Sequence, residues 1–458
     1  MKNNYAAALF AKILNFPFKS RGLYLACFSF LIFNPSFSFA QVWDSVGSGT
    51  NGSVNALITY NSNLIAGGTF SSAGTLPANN VAECSGTSWM TLGSGVQFAG
   101  AWQFAEWNGN LYAGGFFNLA GGNPARNIAG WNGSSWFSMG RGANLVVYAV
   151  TVYNNELYIA GGFDSAGTVA ASYIARWNGL TWSSVGSGTN GYVQSLCVWN
   201  GSLYAGGFFD SAGGIPASGI ASWNGSAWSA AGSGVNGFVS TMAVCNGSLF
   251  AGGNFSKAGG VAARNIAKWN GSAWTSIGNG VNNAVSALVS YNNNLYAGGY
   301  FTLADGIIVN HIACWNTSTS SWSALGSGTD STVLSLAVFN NNIFAGGNFT
   351  HAGSTPANHI AQYSLTTGIN ENRIQNSEFR IVPNPNNGIF QIANSQQLMA
   401  NSQLEIYNML GEKVFNKQLS MDNEQVTINI YGQPAGVYIY HFITAEGSIV
   451  SSGKFTIQ

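Results

Sequence analysis

The side chains able to do chemistry are few in this sequence, and their spacing limits what that chemistry could be. Between residues 41 and 365 the acids are Asp44, Glu83, Glu106, Glu156, Asp164, Asp210, Asp305 and Asp330. Glycoside hydrolysis needs two carboxyl groups facing one bond. These acids are scattered, so a catalytic pair would have to form between distant parts of the chain. His311 and His359 both precede Ile-Ala, where Asn80, Asn127 and Asn265 stand elsewhere, and His351 lies between them. The shared position reads as variation within a repeat, the alternative being a histidine metal site. Cys84, Cys197, Cys245 and Cys314 lack metal-type spacing. Cys84 stands where Trp131 or Trp177 occurs elsewhere, and Cys245 where Trp199 or Tyr291 does, as small buried replacements would. Neither a metal, a cofactor nor a disulfide framework is expected. No Ser-His-Asp order with a nucleophile elbow is present. The remaining group suits binding: Trp102, Tyr148, Arg126 and Arg141. Aromatic faces stack on sugar rings, and guanidinium groups fork onto carboxylate or sulfate. The alternative is that both rings fill space and both arginines are solvated.

What positions these residues is a repeat. Leu-(Tyr/Phe)-Ala-Gly-Gly, usually one residue, then Phe recurs with glycine pairs at Gly67/Gly68, Gly114/Gly115, Gly161/Gly162, Gly206/Gly207, Gly252/Gly253, Gly298/Gly299 and Gly346/Gly347. Each repeat reads as four short strands: an alternating apolar run such as Val193 to Asn200, the Gly-Gly stretch, Ile-Ala-x-Trp, and Trp-x-x-apolar-Gly. Asn-Gly and Asn-Asn pairs mark tight turns, because both residue types accept positive φ. A period of 45 to 48 residues with four strands describes a propeller blade. The glycines should let neighbouring backbones approach. The following phenylalanines, Phe70 to Phe349, should fill the space between blades. Next come Ser71, Asn118, Asp164, Asp210, Ser256, Thr302 and Thr350, expected to accept hydrogen bonds from the backbone just ahead.

The fourth-strand Trp occurs at 43, 89, 136, 182, 228, 274 and 322, yet the last repeat ends at Tyr363 without one. The count balances if Val42 to Gly47 completes the last blade, hiding an open edge. The expected fold is therefore all-β: a seven-bladed β-propeller over 41–365, four strands per blade, closed by the N-terminal strand. The face carrying the two–three and four–one connections has the longer loops, where function usually sits. On that face Trp102 and Tyr148 should begin the first strands of blades two and three, aligned with Asn55, Gln194, Ser240 and Ser286. Arg126 falls in the two–three loop of blade two and Arg141 in the connection to blade three.

The ends of the chain differ from the middle. Lys2, Lys12, Lys19 and Arg21 precede the mostly apolar Gly22 to Phe33, and Ser38-Phe39-Ala40 supplies small residues for cleavage, so 1–40 reads as a signal peptide. The apolar run is short for a membrane span, and no transmembrane segment is expected. The formal net charge is zero, with 60 glycines and 7% charged residues, which excludes an electrostatic partner such as nucleic acid. Residues 366–378 form a polar linker, and 379–458 a small C-terminal β-sandwich.

Two resemblances follow from these residues. The glycine pairs resemble those of Kelch repeats in galactose-oxidase-like propellers. The longer Gly-Gly-x-Phe…Ile-Ala-x-Trp-Asn-Gly…Gly-Ser-Gly pattern looks like the repeats of the fungal cortical cell-polarity marker and of secreted bacterial propellers. That resemblance implies a fold and no activity; the Tyr–Cys pair with two histidines needed for copper oxidation cannot be assigned. Val382-Pro383-Asn384-Pro385-Asn386-Asn387-Gly388, Leu404 to Gly411, Pro434-Ala435-Gly436-Val437-Tyr438 and Gly453-Lys454-Phe455-Thr456-Ile457 look like the type A C-terminal sorting domain of the type IX secretion system. Its motif residues here are Pro383, Asn384, Pro385, Gly388, Gly411, Gly436, Tyr438 and Lys454. The resemblance implies a Bacteroidota-type cell, the type IX machinery as partner, passage through the outer membrane, and removal of the domain with release or surface attachment. The expected function is a secreted or cell-surface module binding an extracellular glycan or protein without catalysis, the alternative being a propeller enzyme acting on polysaccharide.

Overall fold

The computed structural model describes residues 43–86, 88–365, 380–393, 403–418, 425–443 and 449–458. The expected signal segment 1–40 and linker 366–378 lie outside the described residues. Strand and hairpin signals in the sequence come out as antiparallel sheets throughout, with no helix among the described residues. Seven of these sheets carry the repeat. Sheet I holds Val54–Tyr60, Asn63–Gly68, Val81–Cys84 and Trp89–Thr91 in that order. Sheet II holds Val96–Trp107, Asn110–Ala120, Ile128–Trp131 and Trp136–Ser138, and sheet III Val147–Tyr153, Glu156–Gly161, Ile174–Trp177 and Trp182–Ser184. Sheets IV, V and VI begin at Tyr192–Trp199, Phe238–Cys245 and Val285–Tyr291. Sheet VII takes Val333–Phe339, Asn342–Gly347 and Ile360–Tyr363 from one end of the repeat region and Trp43–Ser45 from the other, with Trp43 opposite Tyr363.

The turn chemistry explains the hairpins. Between strands one and two, both loop residues have positive φ, as at Asn154 (48°) with Asn155 (59°) and Asn200 (47°) with Gly201 (73°). This suits the right-handed twist of the flanking strands. Between strands three and four a different device operates. The Asn178 side chain accepts hydrogen bonds from the Leu180 and Thr181 amides, and Asn224 and Asn270 repeat the pattern.

Packing runs between neighbouring sheets. Among the described residues the repeat sheets share seven apolar cores, each drawing on two neighbouring sheets, and the series passes from sheets I and II round to VII and I. Phe70, Phe117, Phe163, Phe209, Phe255, Phe301 and Phe349 are all buried in them. The fourth-strand tryptophans add a bond between sheets. Each indole N–H donates to a carbonyl beyond the fourth strand of the preceding sheet: Trp136 to Leu92, Trp182 to Met139, Trp228 to Val185, Trp274 to Ala231, Trp322 to Ile277, Trp43 to Leu325, and Trp89 back to Val46. Each such bond contributes about 0.5–1.5 kcal/mol. The arrangement is consistent with a propeller.

Two expectations change in detail. The glycine pair has two distinct roles. A Cβ on the second glycine would meet a first-strand carbonyl of its own sheet, 2.0 Å away at Gly207 and 2.1 Å at Gly253. A Cβ on the first would meet the next sheet, with Val239 Cγ1 2.6 Å from Gly206. Sheet III shifts the register: Ala160 and Gly161 pair like Gly206 and Gly207, and Gly161 takes the second role, its Cβ position 2.0 Å from the Val146 carbonyl. Gly162 therefore stands one place beyond the pair. The polar residue after each Phe also differs from expectation. In five of the seven repeats its partner is an asparagine twenty residues earlier, not the backbone just ahead. Asn144 accepts from the Asp164 and Ser165 amides and donates to Asp164, and Asn51, Asn190, Asn236 and Asn282 do the same in their repeats.

The C-terminal residues form a three-stranded sheet (Arg380–Val382, Ile389–Ala393, Gln425–Asn429) and a four-stranded one (Lys413–Gln418, Gln403–Tyr407, Gly436–Ile443, Ile449–Ile457). Phe390 and Ile428 of the first share a core with Leu404, Ile406, Tyr438, Phe442 and Phe455 of the second.

Candidate functional site

Every repeat sheet carries an irregularity in its first strand, and it decides where side chains point. One residue is skipped in the pairing between Val54 and Ala56, Ala101 and Gln103, Val147 and Ala149, Val193 and Ser195, Val239 and Thr241, Val285 and Ala287, and Val333 and Ser335. Such a bulge re-aims the extra side chain. The skipped residues are Asn55, Trp102, Tyr148, Gln194, Ser240, Ser286 and Leu334, all half-buried. Trp102 and Tyr148 thus occupy one repeated position, although Trp102 lies within the long strand Val96–Trp107 rather than at its start. Their rings stack, with centroids 5.3 Å apart and an angle of 27° between planes. The Trp102 indole N–H donates to the Ala99 carbonyl at 3.2 Å. Burial, and secondarily Tyr192, raise the Tyr148 pKa, so its hydroxyl is a neutral hydrogen-bond group at pH 7.

Arg126 and Arg141 are exposed and adjacent through the backbone. The Ala143 amide donates to the Arg126 carbonyl, and a Cβ on Gly142 would lie 3.1 Å from that of Arg126. Neither guanidinium has a hydrogen-bond or ion-pair partner among the described residues. The structure so gives two pairs, a ring stack on the first strands and an arginine pair on the loops.

Sequence reasoning missed the extent of exposed aromatic surface beside the stack. Tyr192 is 50% exposed, Phe208 64% and Phe98 69%. Phe98 meets Phe116 edge-on at 5.1 Å, Tyr192 meets Tyr173 at 5.6 Å, and Phe208 meets Phe238 at 6.5 Å. Phe98 has a φ of 106°, an outlier for a bulky residue. The signal was available: the place after the glycine pair reads Thr69, Phe116, Gly162, Phe208, Asn254, Tyr300 and Asn348 once the register is corrected.

Most of the acids, and the histidines of the repeat region, have local partners. Glu156 pairs with Arg176 at 3.0 Å, and Glu83 and Asp305 bond to Asn63 and Asn279. Asp330 accepts from the amide and hydroxyl of Thr350 and lies 3.2 Å from His351 Nδ1. His311 and His359 take the positive-φ place of Asn80, and their Nδ1 atoms rest against the Gly299 and Gly347 carbonyls. Among the described residues no group of three or more His, Cys, Asp or Glu could hold a metal ion. Tyr296 and Cys314 face each other across sheet VI, but burial raises both pKa values, the thiol to about 11, so neither presents an anion.

In the tail, the residues of the sorting motifs sit at turns and against the last strand, Ile449–Ile457. Pro383 and Pro385 flank Asn384, whose carboxamide accepts from the Thr456 amide, and Asn386 bonds to Thr456 and Gln458 through its backbone. Gly388 has a φ of 89° and accepts from the Ile430 amide, while Gly411 (80°) closes a turn with Asn408. The strand Gly436–Ile443 starts at Gly436 and carries Tyr438, whose hydroxyl donates to Pro434 at 2.7 Å and whose ring stacks on Phe455. Lys454 stays exposed.

Comparison with known proteins gives the following. No curated protein matches the chain. Among solved structures it is similar to PorZ, a surface component of the type IX secretion system of Porphyromonas gingivalis (15% identity, 90% of this chain, 60% of that one, TM-score 0.46). It is similar to the extracellular domain of a one component system from B. thetaiotaomicron (12%, 92% and 58%, TM-score 0.48). A fungal alcohol oxidase of the AA5 family, solved with copper, gives 12% identity, 92% and 100% coverage, and a TM-score of 0.45. The chain spans about three fifths of the length of the first two. No helix of the described residues is long and apolar enough to cross a membrane. A family model, the secretion system C-terminal sorting domain, matches residues 380–458. The chain carries a type IX sorting tail, and this tail directs it to the cell surface.

Proposed function

We propose that the repeat region is a closed, seven-bladed, Kelch-like propeller that binds an extracellular glycan without chemistry, and that the sorting tail exports it. In this reading 1–40 is the signal peptide, 41–365 the propeller, 366–378 the linker and 379–458 the part read by the secretion machinery. The circular series of tryptophan bonds and the pairing of Trp43–Ser45 with Ile360–Tyr363 support closure. Deleting residues 43–47 removes buried Trp43, whose packing alone is worth about 3–5 kcal/mol, and should lower the thermal midpoint sharply; an unchanged midpoint contradicts closure.

The observation that carries the binding reading is the Trp102–Tyr148 stack at 5.3 Å, and the exposed, unpaired Arg126 and Arg141 on the loops of sheet II add to it. Rings presented at one bulge position offer flat apolar faces, and free guanidinium groups offer forked donors, which together suit sugars bearing acidic groups. The test is a glycan array on the mature protein, run beside a hydrolase and lyase screen. Glycan binding without turnover is expected. Turnover of a polysaccharide would make the protein an enzyme, and silence on the array would refute the glycan reading.

A further inference from the structure

The rings do not stop at the Trp102–Tyr148 stack. Tyr192 of sheet IV reaches back to sheet III, where its ring meets Tyr173 edge-on at 5.6 Å and lies 3.6 Å from the Cβ position of Gly162. Tyr192 pairs directly with Phe208 across sheet IV, so the two side chains share one face. Phe208 meets Phe238 of sheet V at 6.5 Å. Phe238 in turn pairs with Asn254. A broken chain of ring pairs therefore runs from sheet II to sheet V, with Tyr192 and Phe208 half or more exposed.

At the far end of that chain is a groove between sheets V and VI, walled by Asn236, Ser256, Asn265 and Asn282 and holding Arg264 and Asn254. The amides of Asn236, Asn265 and Asn282 are occupied by backbone and hydroxyl partners, so they shape the groove. The free donors are the Arg264 guanidinium and the Asn254 amide, both exposed and without a side-chain partner among the described residues. No acid lines the groove. Arg264 occupies the place that Arg126 has in sheet II: each precedes a positive-φ asparagine, and each carbonyl accepts from the amide leading into the next sheet. The other repeats have Asn79, Ser172, Ser218, Asn310 and Asn358 there.

We infer that the Arg264 groove is an oxyanion subsite, and that the ligand is an extended glycan laid along the rings with a carboxylate- or sulfate-bearing sugar in this groove. The inference rests on the glycan reading and adds a second anchor three sheets away from the first. A guanidinium with no internal carboxylate takes an oxyanion through two parallel hydrogen bonds, which an ammonium in the same place cannot copy.

Calorimetry with three size-matched octasaccharides tests it: a hexuronate chain, a neutral hexose chain, and the same neutral chain bearing sulfate esters. Wild-type protein should bind one of the acidic chains at least about tenfold more tightly than the neutral one, each tenfold being about 1.4 kcal/mol. Arg264→Gln should remove that preference, and Arg264→Lys should restore only part of it, with thermal midpoints unchanged because the side chain is exposed. Preference for the uronate or for the sulfated chain identifies the acid. If the neutral chain binds as well as both acidic ones, and Trp102→Ala weakens it while Arg264→Gln does not, the groove inference falls and the glycan reading stands. If no chain binds, both fall.

Discussion

Sheets II and V are built from the same repeat and differ in their first hairpin. In sheet V the first two strands have eight and seven residues, and Asn236 ties the loop after Phe255 by accepting from the Ser256 and Lys257 amides. In sheet II that capping position is Gln97, and the hairpin instead runs on, to twelve and eleven residues, with three shifts in register. In the lengthened hairpin Phe98 stands out at a positive φ, while Trp102 takes the bulge position shared by all seven sheets and stacks on Tyr148. The comparison teaches that the asparagine cap is what keeps a repeat short. In sheet II backbone ladder bonds take the place of the cap.

The comparison can be broken most forcefully at the phenylalanines. Phe255→Ala in sheet V should cost about 3–5 kcal/mol, whereas Phe98→Ala in sheet II should stay within about 0.5 kcal/mol, measured by denaturant unfolding. Equal costs would show that the exposed ring of sheet II is structural. Next come the glycines. Gly253→Ala puts a methyl 2.1 Å from the Phe238 carbonyl, which cannot move without breaking the strand pairing. It should cost about 3 kcal/mol. Gly252→Ala meets the Val285 side chain at 2.6 Å, a place where sheet III already carries Ala160, and about 1 kcal/mol is expected. A reversed order would refute the two roles.

The caps give a smaller effect. Asn236→Ala should cost about 1 kcal/mol, as loss of a side-chain cap does, and Gln97→Ala no more than a few tenths. Sheet VII sharpens this through pH, because its cap is Asp330. Burial opposes ionisation there, but hydrogen bonds from His351 and Thr350 win and hold the carboxyl at about 2. A folded-state pKa below the ordinary value near 3.8 contributes stability that is present above pH 4 and lost as pH falls toward 2. Asp330→Asn should flatten that part of the stability profile, and thermal melts from pH 5 to 2 will show whether it does.

Much of the fold was legible because repetition multiplies weak signals. One Trp-x-x-apolar-Gly segment says little. Seven of them, with Trp43 stranded at the start and Tyr363 at the end, predict the pairing of chain ends that the structure shows. The sorting tail was legible through the order of its four motif segments, as a resemblance, and a family model matches the same residues, 380–458. The register slip at Gly161/Gly162 was not legible, since a glycine beside a pair looks like a member of it until the strand pairing is known. Nor were the asparagine caps, whose partners lie twenty residues away. At the candidate site the alignment of Trp102 with Tyr148 was readable, but their stacking, and the continuation of rings through Tyr192, Phe208 and Phe238, depend on neighbouring sheets coming together.

The central claim is that this protein binds through the sheet II–III surface. The measurement that tests it most directly is the affinity of the Trp102→Ala, Arg141→Ala double variant for whichever glycan the array identifies, taken by calorimetry on protein whose thermal midpoint matches wild type. A loss of tenfold or more is predicted, about 1.4 kcal/mol. Unchanged affinity in the folded double variant would contradict the account.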